Sequence, residues 1–561
     1  MKNTKNIIIV FLLAIFTLGC SEEYLVEDPP DVMSSRNLFE TTEGFQMGIN
    51  ALYAQARIEK KGYDSNTPTL NFTFIGTDIC FALSVGSAVN KFGLEVQPSE
   101  GHYLFMWSWL YSIINSANTI IIASEQPYVN WTEAEMKQTQ GEARFFRAFA
   151  YRHLVNLFGD VPLNLAEAGG EIKTDWVRTP VAEIRQQIVE DLQYAVDNIT
   201  GDPNPKASNI TSWVAKHYLA EVNMELGNNV EAETLLRDII DNGPYQLVTD
   251  RYGVNLDKPG DVFSDMFLEG NTNRDDGNTE NMYVLQSEPL VEGGDYFWNR
   301  RYFGGRYDKI QVIGDDSVLV TPFKISNDRG GRGVGDAQPT VFMMSLFKPG
   351  NNAGSQNDNR GSEFTWRKYL ILTDYAEGEA MGADLLPSGY NYGDTIWLET
   401  ETYSYKNWYW TWSRKHDETN PVTLDKHQGY KDWPYLRLAE CYLLLAETQF
   451  KNGKASDAAN SINELRERAN ADRISAADVD IDFILDESAR ELWGEGHRRY
   501  VLMRNNLWLE RTSLYNDAVI DDGVTGWNST GPTERDLLLP IPQSVIDANL
   551  DLKFPQNPGY D

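Results

Sequence analysis

The stretches YLAEVNMELGNNVEAETLLRDII (residues 218–240) and YLLLAETQFKNGKASDAANSINELRERA (residues 442–469) share one design. In the first, Ala220-Glu221 is followed by Gly227 and Ala232. In the second, Ala446-Glu447 is followed by Gly453 and Ala458. The Ala-to-Gly step is seven positions in both (220 to 227, 446 to 453), and the Gly-to-Ala step is five. Small residues let two helices touch, and the glycine between them supplies the turn. This is the layout of a tetratricopeptide-type hairpin, although the full repeat consensus is absent.

The helical pattern extends outward from both hairpins. Residues 41–250 read as helices. Thr132 and Glu135 form a capping box, and Phe146, Phe149, Ala150, His153, Leu154 and Leu157 recur on one helix face. Gly159 and Pro162 stop that helix. In RTPVAEI, Thr179 is placed to cap a further helix, with Pro180 at its first position. Residues 431–561 are again mostly helical. The prolines at 540 and 542 exclude helix and central strand locally, so this tail runs extended over the rest of the fold. The intervening 251–430 is rich in Gly, Asn, Asp and aromatics, with turn clusters such as SNDRGGRGVGDAQP and short β-type runs such as DTIWLETETYSY. The expected fold is therefore mostly α: one α-rich domain with tetratricopeptide-like hairpins and a large insertion of loops and short strands. Loops mounted on a rigid scaffold commonly carry binding.

The N-terminus reads as a targeting segment. IIIVFLLAIFTLGCSEEYL (7–25) follows Lys2 and Lys5, and its apolar run is too short to span a bilayer, which takes roughly 20 apolar residues. Gly19-Cys20 is the ending of a lipoprotein signal, with Thr17 and Leu18 a loose match to the usual positions before the cysteine. On this reading residues 1–19 are removed, Cys20 is acylated, and 20–40 form a tether before the domain at 41–561. More than one acyl chain holds a protein firmly at a membrane. The net charge of −33 repels nucleic acid. Cys80 and Cys441 are too few for a disulfide framework.

Chemistry-bearing motifs are sparse. Glu487, Glu491 and Glu495 lie four apart on one helical face, where carboxylates serve either as a general acid and base or as ion-pair partners. Arg499, Arg144, Arg147 and Arg437 are the expected counter-charges, which favours the ion-pair reading. His497 in the same run reads as a packed or surface histidine. The acidic loops NRDDGNTE (273–280) and DVDID (478–482) offer oxygen ligands suited to calcium, but neither keeps EF-hand spacing, and Asp482 equally suits a helix cap. No cofactor is expected. Nucleotide-binding and acyl-serine motifs are missing.

Four segments together resemble the SusD/RagB family of Bacteroidetes lipoproteins: EARFFRAFAYRHLVNLFGDVPL (142–163), DWPYLRLAECYLLLAE (432–447), ESARELWGEGHRRYVLMR (487–504) and LLLPIPQSVIDANLDLKFPQNPGY (537–560). The acidic CSEE start fits the same resemblance. It implies a position on the outer leaflet of the outer membrane and a SusC-like TonB-dependent transporter as partner. It also implies capture of a nutrient, usually an oligosaccharide or polysaccharide, without catalysis. Binding of peptides or another nutrient, glycoside hydrolysis, and a protein-binding helical scaffold are the alternatives.

Two aromatic clusters compete as the sugar platform. Flat rings cover the C–H face of a sugar, while Asn, Arg and Asp bind its hydroxyl rim. In GGDYFWNRRYFGGRYD (293–308) the flanking glycines and interleaved polar residues favour an exposed loop, so Tyr296, Trp298, Asn299, Arg300 and Tyr302 are the candidate ligand contacts. In YSYKNWYWTWSRK (403–415) the alternation of Trp408, Trp410 and Trp412 describes a strand packed on the scaffold. Asp78, in FIGTDICF, joins the candidates because the resemblance places that loop region near the pocket.

Overall fold

The computed structural model describes residues 38–61, 70–82, 92, 96–167, 172–373, 375–376, 379–380, 386–401, 408–418, 424–519 and 531–560. The expected signal 1–19 and Cys20 lie outside the described residues. Helices come first: α1 (Thr42–Ala56), α2 (Gly101–Ser124), α3 (Glu133–Phe158), α4 (Val181–Asn198), α5 (Ser212–Glu225) and α6 (Asn229–Asn242). After the loop-rich middle come α7 (Leu438–Lys451), α8 (Ala455–Arg468), α9 (Ile481–Leu492), α10 (Arg498–Arg504) and α11 (Trp508–Tyr515). From α2 through α8 each helix packs against the one before it, and α9 packs on α7, giving a mostly α scaffold of stacked hairpins.

Both repeated segments form the hairpins that their spacing predicts. Gly227 (φ 81°) and Gly453 (φ 77°) take the left-handed turn between α5 and α6 and between α7 and α8. Although distant in sequence, the two hairpins stack. Asn452 Nδ2 donates to Asn229 O at 3.2 Å and to Glu233 Oε2 at 2.8 Å, and Lys454 Nζ pairs with Glu233 at 2.9 Å.

In α3 the capping box closes as the sequence predicts, with Glu135 N donating to Thr132 Oγ1 at 3.2 Å and Thr132 N to Glu135 Oε2 at 2.7 Å. The start of α4 is shifted by one residue. Pro180 is the cap, the free N–H of Val181 donates to Asp160 Oδ1 at 2.8 Å, and the Thr179 hydroxyl instead accepts from Leu163 N. A similar shift occurs at α9, where Asp480 caps by accepting from Phe483 N at 2.7 Å and Asp482 pairs with Arg511. The tail runs along the end of α3: Leu539 N donates to Leu157 O at 2.7 Å, and Asn557 Nδ2 to Phe158 O at 3.0 Å. One short helix, Gln543–Ala548, starts directly behind Pro542.

The middle leaves and rejoins the scaffold through one antiparallel strand pair, Asn281–Leu285 with Trp433–Arg437, in which Leu285 faces Trp433. Further out, Tyr307, Ile310, Val312, Phe323, Leu370, Leu372, Ile396, Leu398 and Trp412 form a second small core, separate from the large helical one. Trp410 and Trp412 are buried, in keeping with their alternation, and Trp408 is half-buried.

Candidate functional site

The three glutamates singled out in the sequence belong to a buried ionic lattice joining the middle to the scaffold. Glu487 binds Arg360, Arg466 and Arg490 at 2.9, 2.8 and 2.6 Å. Glu491 meets Arg437 at 3.1 Å, Arg360 at 3.4 Å and Arg468. Helix α9 stops at Leu492, so Glu495 leaves its face and pairs with Lys415 and Arg437, each at 2.5 Å. Of the arginines expected as partners, only Arg437 joins. Arg144 and Arg147 bind Asp191, while Arg499 donates to the carbonyls of Asp536 and Leu537. Burial alone would raise Glu487 and Glu491. The guanidinium groups overrule it and hold each carboxyl at about 2. All three carboxylates are buried, so they present no open face to a substrate.

The expected ligand contacts are corrected in the same way. Asp78 is fully buried. Its carboxylate accepts from Arg498 Nε at 2.9 Å, Arg498 Nη2 at 2.6 Å and Arg511 Nε at 2.8 Å. The stretch 295–307 is not an exposed loop. A short helix, Asn299–Phe303, turns Asn299, Arg300 and Tyr302 inward, and Trp298 packs at its start. Arg300 Nη2 donates to Gln428 O at 2.7 Å. The physical reason is at Gly305, where an added Cβ would come 2.1 Å from the Trp412 ring: the glycines permit close packing rather than exposure. Of this set only Tyr296 keeps a half-buried ring, with Lys61 Nζ 5.2 Å from its centroid.

Among the described residues two clusters carry metal-donor atoms, Glu59/His153/His497, all buried, and His217/Glu221/Glu440, in which Glu440 is half-buried. Each already holds cations where a metal's charge would be needed. Lys60 lies 3.1 Å from Glu59, and Arg152 lies 2.9 Å from Glu221. His497 is packed, with Nε2 at 2.7 Å from Glu59. In the 273–280 loop, Glu280 is bound by Arg437 and Arg468, and Asp276 accepts from Asn273 N.

An open aromatic surface lies elsewhere. Strands Tyr369–Ile371 and Thr395–Trp397 pair with Tyr369 opposite Trp397. Leu370 and Ile396 point into the small core, so period-two alternation sends Tyr369, Ile371, Thr395 and Trp397 outward. Trp397 is 67% exposed, and its ring centroid lies 5.3 Å from that of Tyr369 at 64°. Burial raises the Tyr369 phenol, and a hydrogen bond with Glu363 adds to this, while Arg414 and Arg367 oppose it.

Arg414, whose charge acts on Tyr369, is one wall of a polar cleft of about 360 Å3, lined also by Arg251, Lys258, Asp265, Glu269, Asn327, Asp328, Thr365, Lys415 and Asp417. Arg414 Nη1 donates to Glu363 O at 3.1 Å, and Arg367 Nη2 donates to Asp417 Oδ2 at 2.8 Å. Lys415 is buried, and this pushes its ammonium down to about 8 despite Glu495. A flat apolar surface beside fixed donors and acceptors matches a molecule with C–H faces and a hydroxyl rim. Covering ~80 Å2 of ring gives about 2 kcal/mol gross. The sequence signal for Trp397 was the alternation in TIWL, but both of its faces are apolar, so it did not say which one is open.

Two family models match the chain: the SusD family over residues 295–560, and "Starch-binding associating with outer membrane" over residues 24–224. SusD-like protein P2 of Formosa agariphila is 25% identical, covering 100% of both chains. The starch-binding protein SusD of Bacteroides thetaiotaomicron is 26% identical over 76% of this chain and 74% of that protein. Among solved structures, a laminarin binding SusD-like protein aligns with a TM-score of 0.64 and 20% identity, covering 92% of this chain and 99% of that one. NanU of B. fragilis aligns with a TM-score of 0.66 and 19% identity, covering 95% and 100%.

Proposed function

The chain belongs to the SusD family, and from that premise we propose that it captures a glycan at the cell surface and passes it to a SusC-like TonB-dependent transporter, without making or breaking covalent bonds. Residues 41–561 act as one unit, held by acylated Cys20 to the outer face of the outer membrane. Relatives named for binding starch and laminarin support the glycan class. The family description of association with the outer membrane supports the location. Among the described residues no helix is long and apolar enough to cross a membrane, consistent with holding by a lipid.

The observation that carries this reading is the exposed Trp397 ring beside Tyr369, which in turn neighbours Arg414 of the polar cleft. Two or three ring contacts give binding on the order of −4 to −8 kcal/mol, in the micromolar to millimolar range. Such weak holding suits a protein that must release its cargo. Tyr296 is retained as a secondary contact.

Affinity electrophoresis tests the proposal. Purified protein is run through native gels containing laminarin, starch or other polysaccharides. Retardation that Trp397→Ala abolishes is the expected result. Equal retardation of wild type and variant removes this platform, and new reducing ends appearing in solution overturn the non-catalytic reading.

A further inference from the structure

The chain carries 82 acidic against 49 basic residues, yet one niche in the middle gathers arginines. It is built where two glycine-bearing segments touch: a Cβ added at Gly333 would come 2.2 Å from Gly304 O. That contact brings Arg300, Arg301 and Arg306 from one segment beside Arg332 from the other. Arg332 fixes a third segment, donating from its backbone N to Leu424 O and from Nη1 to Asp425 O, each at 3.1 Å. His427 follows directly in that segment. Burial, then Arg332, Arg301, Arg306 and Arg300, push its imidazole down to about 4. Its Nδ1 is buried and without a hydrogen-bond partner among the described residues.

Among the described residues the charges in this niche do not cancel. Arg301 pairs with Asp336 at 2.7 Å, and Arg300 lies 3.8 Å from Glu418. Arg306 and Arg332, both half-buried, have no carboxylate within ion-pair distance among the described residues. Arg306 instead stacks 5.1 Å from the Trp408 ring centroid. The chain segments joined to Trp408 and Leu424, residues 402–407 and 419–423, contain no Asp or Glu. Among the described residues this leaves a surplus of two guanidinium groups, one of them braced on an aromatic ring, beside an imidazole nitrogen with no partner, which is the donor set for an oxyanion.

We infer that Arg306, Arg332 and His427 form a receptor for an anionic substituent, a carboxylate or a sulfate ester, on the captured glycan. This rests on the glycan reading above. Neutral imidazole donates or accepts one hydrogen bond, the two arginines neutralise the anion, and Trp408 offers a ring to the sugar that carries it.

Calorimetric titrations at fixed ionic strength test the inference with two matched pairs of probes: a galacturonate trisaccharide against its carboxyl-reduced form, and a sulfated galactan oligosaccharide against its desulfated form. The expected result is at least tenfold tighter binding of one charged probe than of its neutral counterpart, with the preference lost in Arg306→Gln/Arg332→Gln. Which pair shows the preference tells carboxylate from sulfate. A preference that survives the double variant overturns the inference, as does equal affinity within both pairs. Neutral probes binding without any charge preference leave glycan capture standing and remove only this receptor; no binding by any glycan removes both. Should the double variant not fold, the His427 ring-proton resonance of the wild-type protein decides. It shifts with a charged probe and not with its neutral partner, and an unmoved resonance overturns the inference.

Discussion

Arg498 grips Asp78 at two points, Nε to Oδ1 at 2.9 Å and Nη2 to Oδ2 at 2.6 Å, and Arg511 Nε binds Oδ2 from the other side at 2.8 Å. The loop that carries Asp78 is thereby bolted to α10 and α11. Removing one partner of a buried pair leaves the other charges uncompensated, at a cost of about 3–5 kcal/mol. Asp78→Asn is expected to lower stability by roughly 3 kcal/mol in denaturant titrations while glycan affinity per folded molecule stays unchanged. A variant of full stability with lost binding would restore Asp78 to the ligand site.

The ionic lattice predicts an acid limit. Burial opposes ionisation of Glu487 and Glu491, but the surrounding arginines hold each at about 2, below the ~4.3 of an unfolded Glu. As pH falls, protons therefore bind the unfolded chain first. The stability these groups contribute is complete above about pH 5 and disappears as pH drops through their folded values. Urea midpoints are expected to fall between about pH 5 and 2. Glu487→Gln should start lower at pH 7 and fall less steeply; a parallel pH profile would mean another group sets the limit.

Gly227 and Gly453 have open space around the position of a Cβ, so substitution there tests backbone conformation alone. Each Gly→Ala is expected to cost about 1 kcal/mol, because alanine resists positive φ. Gly101 is equally open but lacks a positive φ. Gly101→Ala should be neutral or stabilising by up to about 1 kcal/mol. Equal thermal melts for all three variants would contradict the turn assignment.

For the aromatic pair, Trp397→Ala is expected to weaken glycan binding by about 30-fold, corresponding to about 2 kcal/mol of lost ring contact. Tyr369→Ala should weaken it less, because its ring is half-buried. Tyr128, 55% exposed on the segment between α2 and α3, is a control: its replacement by Ala should leave binding unchanged. Titration of all three variants with one glycan checks the order.

The scaffold was legible because its signals are local. The Ala–Gly–Ala spacing at 220–232 and 446–458, the Thr132–Glu135 box and the 146–157 stripe each depend on residues a few positions apart. The middle was not legible for the opposite reason. Whether an aromatic residue is open or enclosed there depends on distant partners, as at Gly305 against Trp412 and Arg300 against Gln428. Glycines beside aromatics read equally well as flexible display or as tight packing, and in 295–307 packing won. Trp397 needed the register with Tyr369 to reveal its outward face.

The strand pair that joins Leu285 to Trp433 makes the departure and return of the middle region neighbours in space. A polymer excursion whose two ends are already pinned together can lengthen at little cost, since closure entropy grows only with the logarithm of its length. Descent with modification can thus rewrite the recognition surface as an exchangeable cassette while the helical frame stays untouched. Transplanting the interval between those strands from one relative to another is the natural way to move specificity, provided the arginine-to-glutamate bolts at its base travel with it.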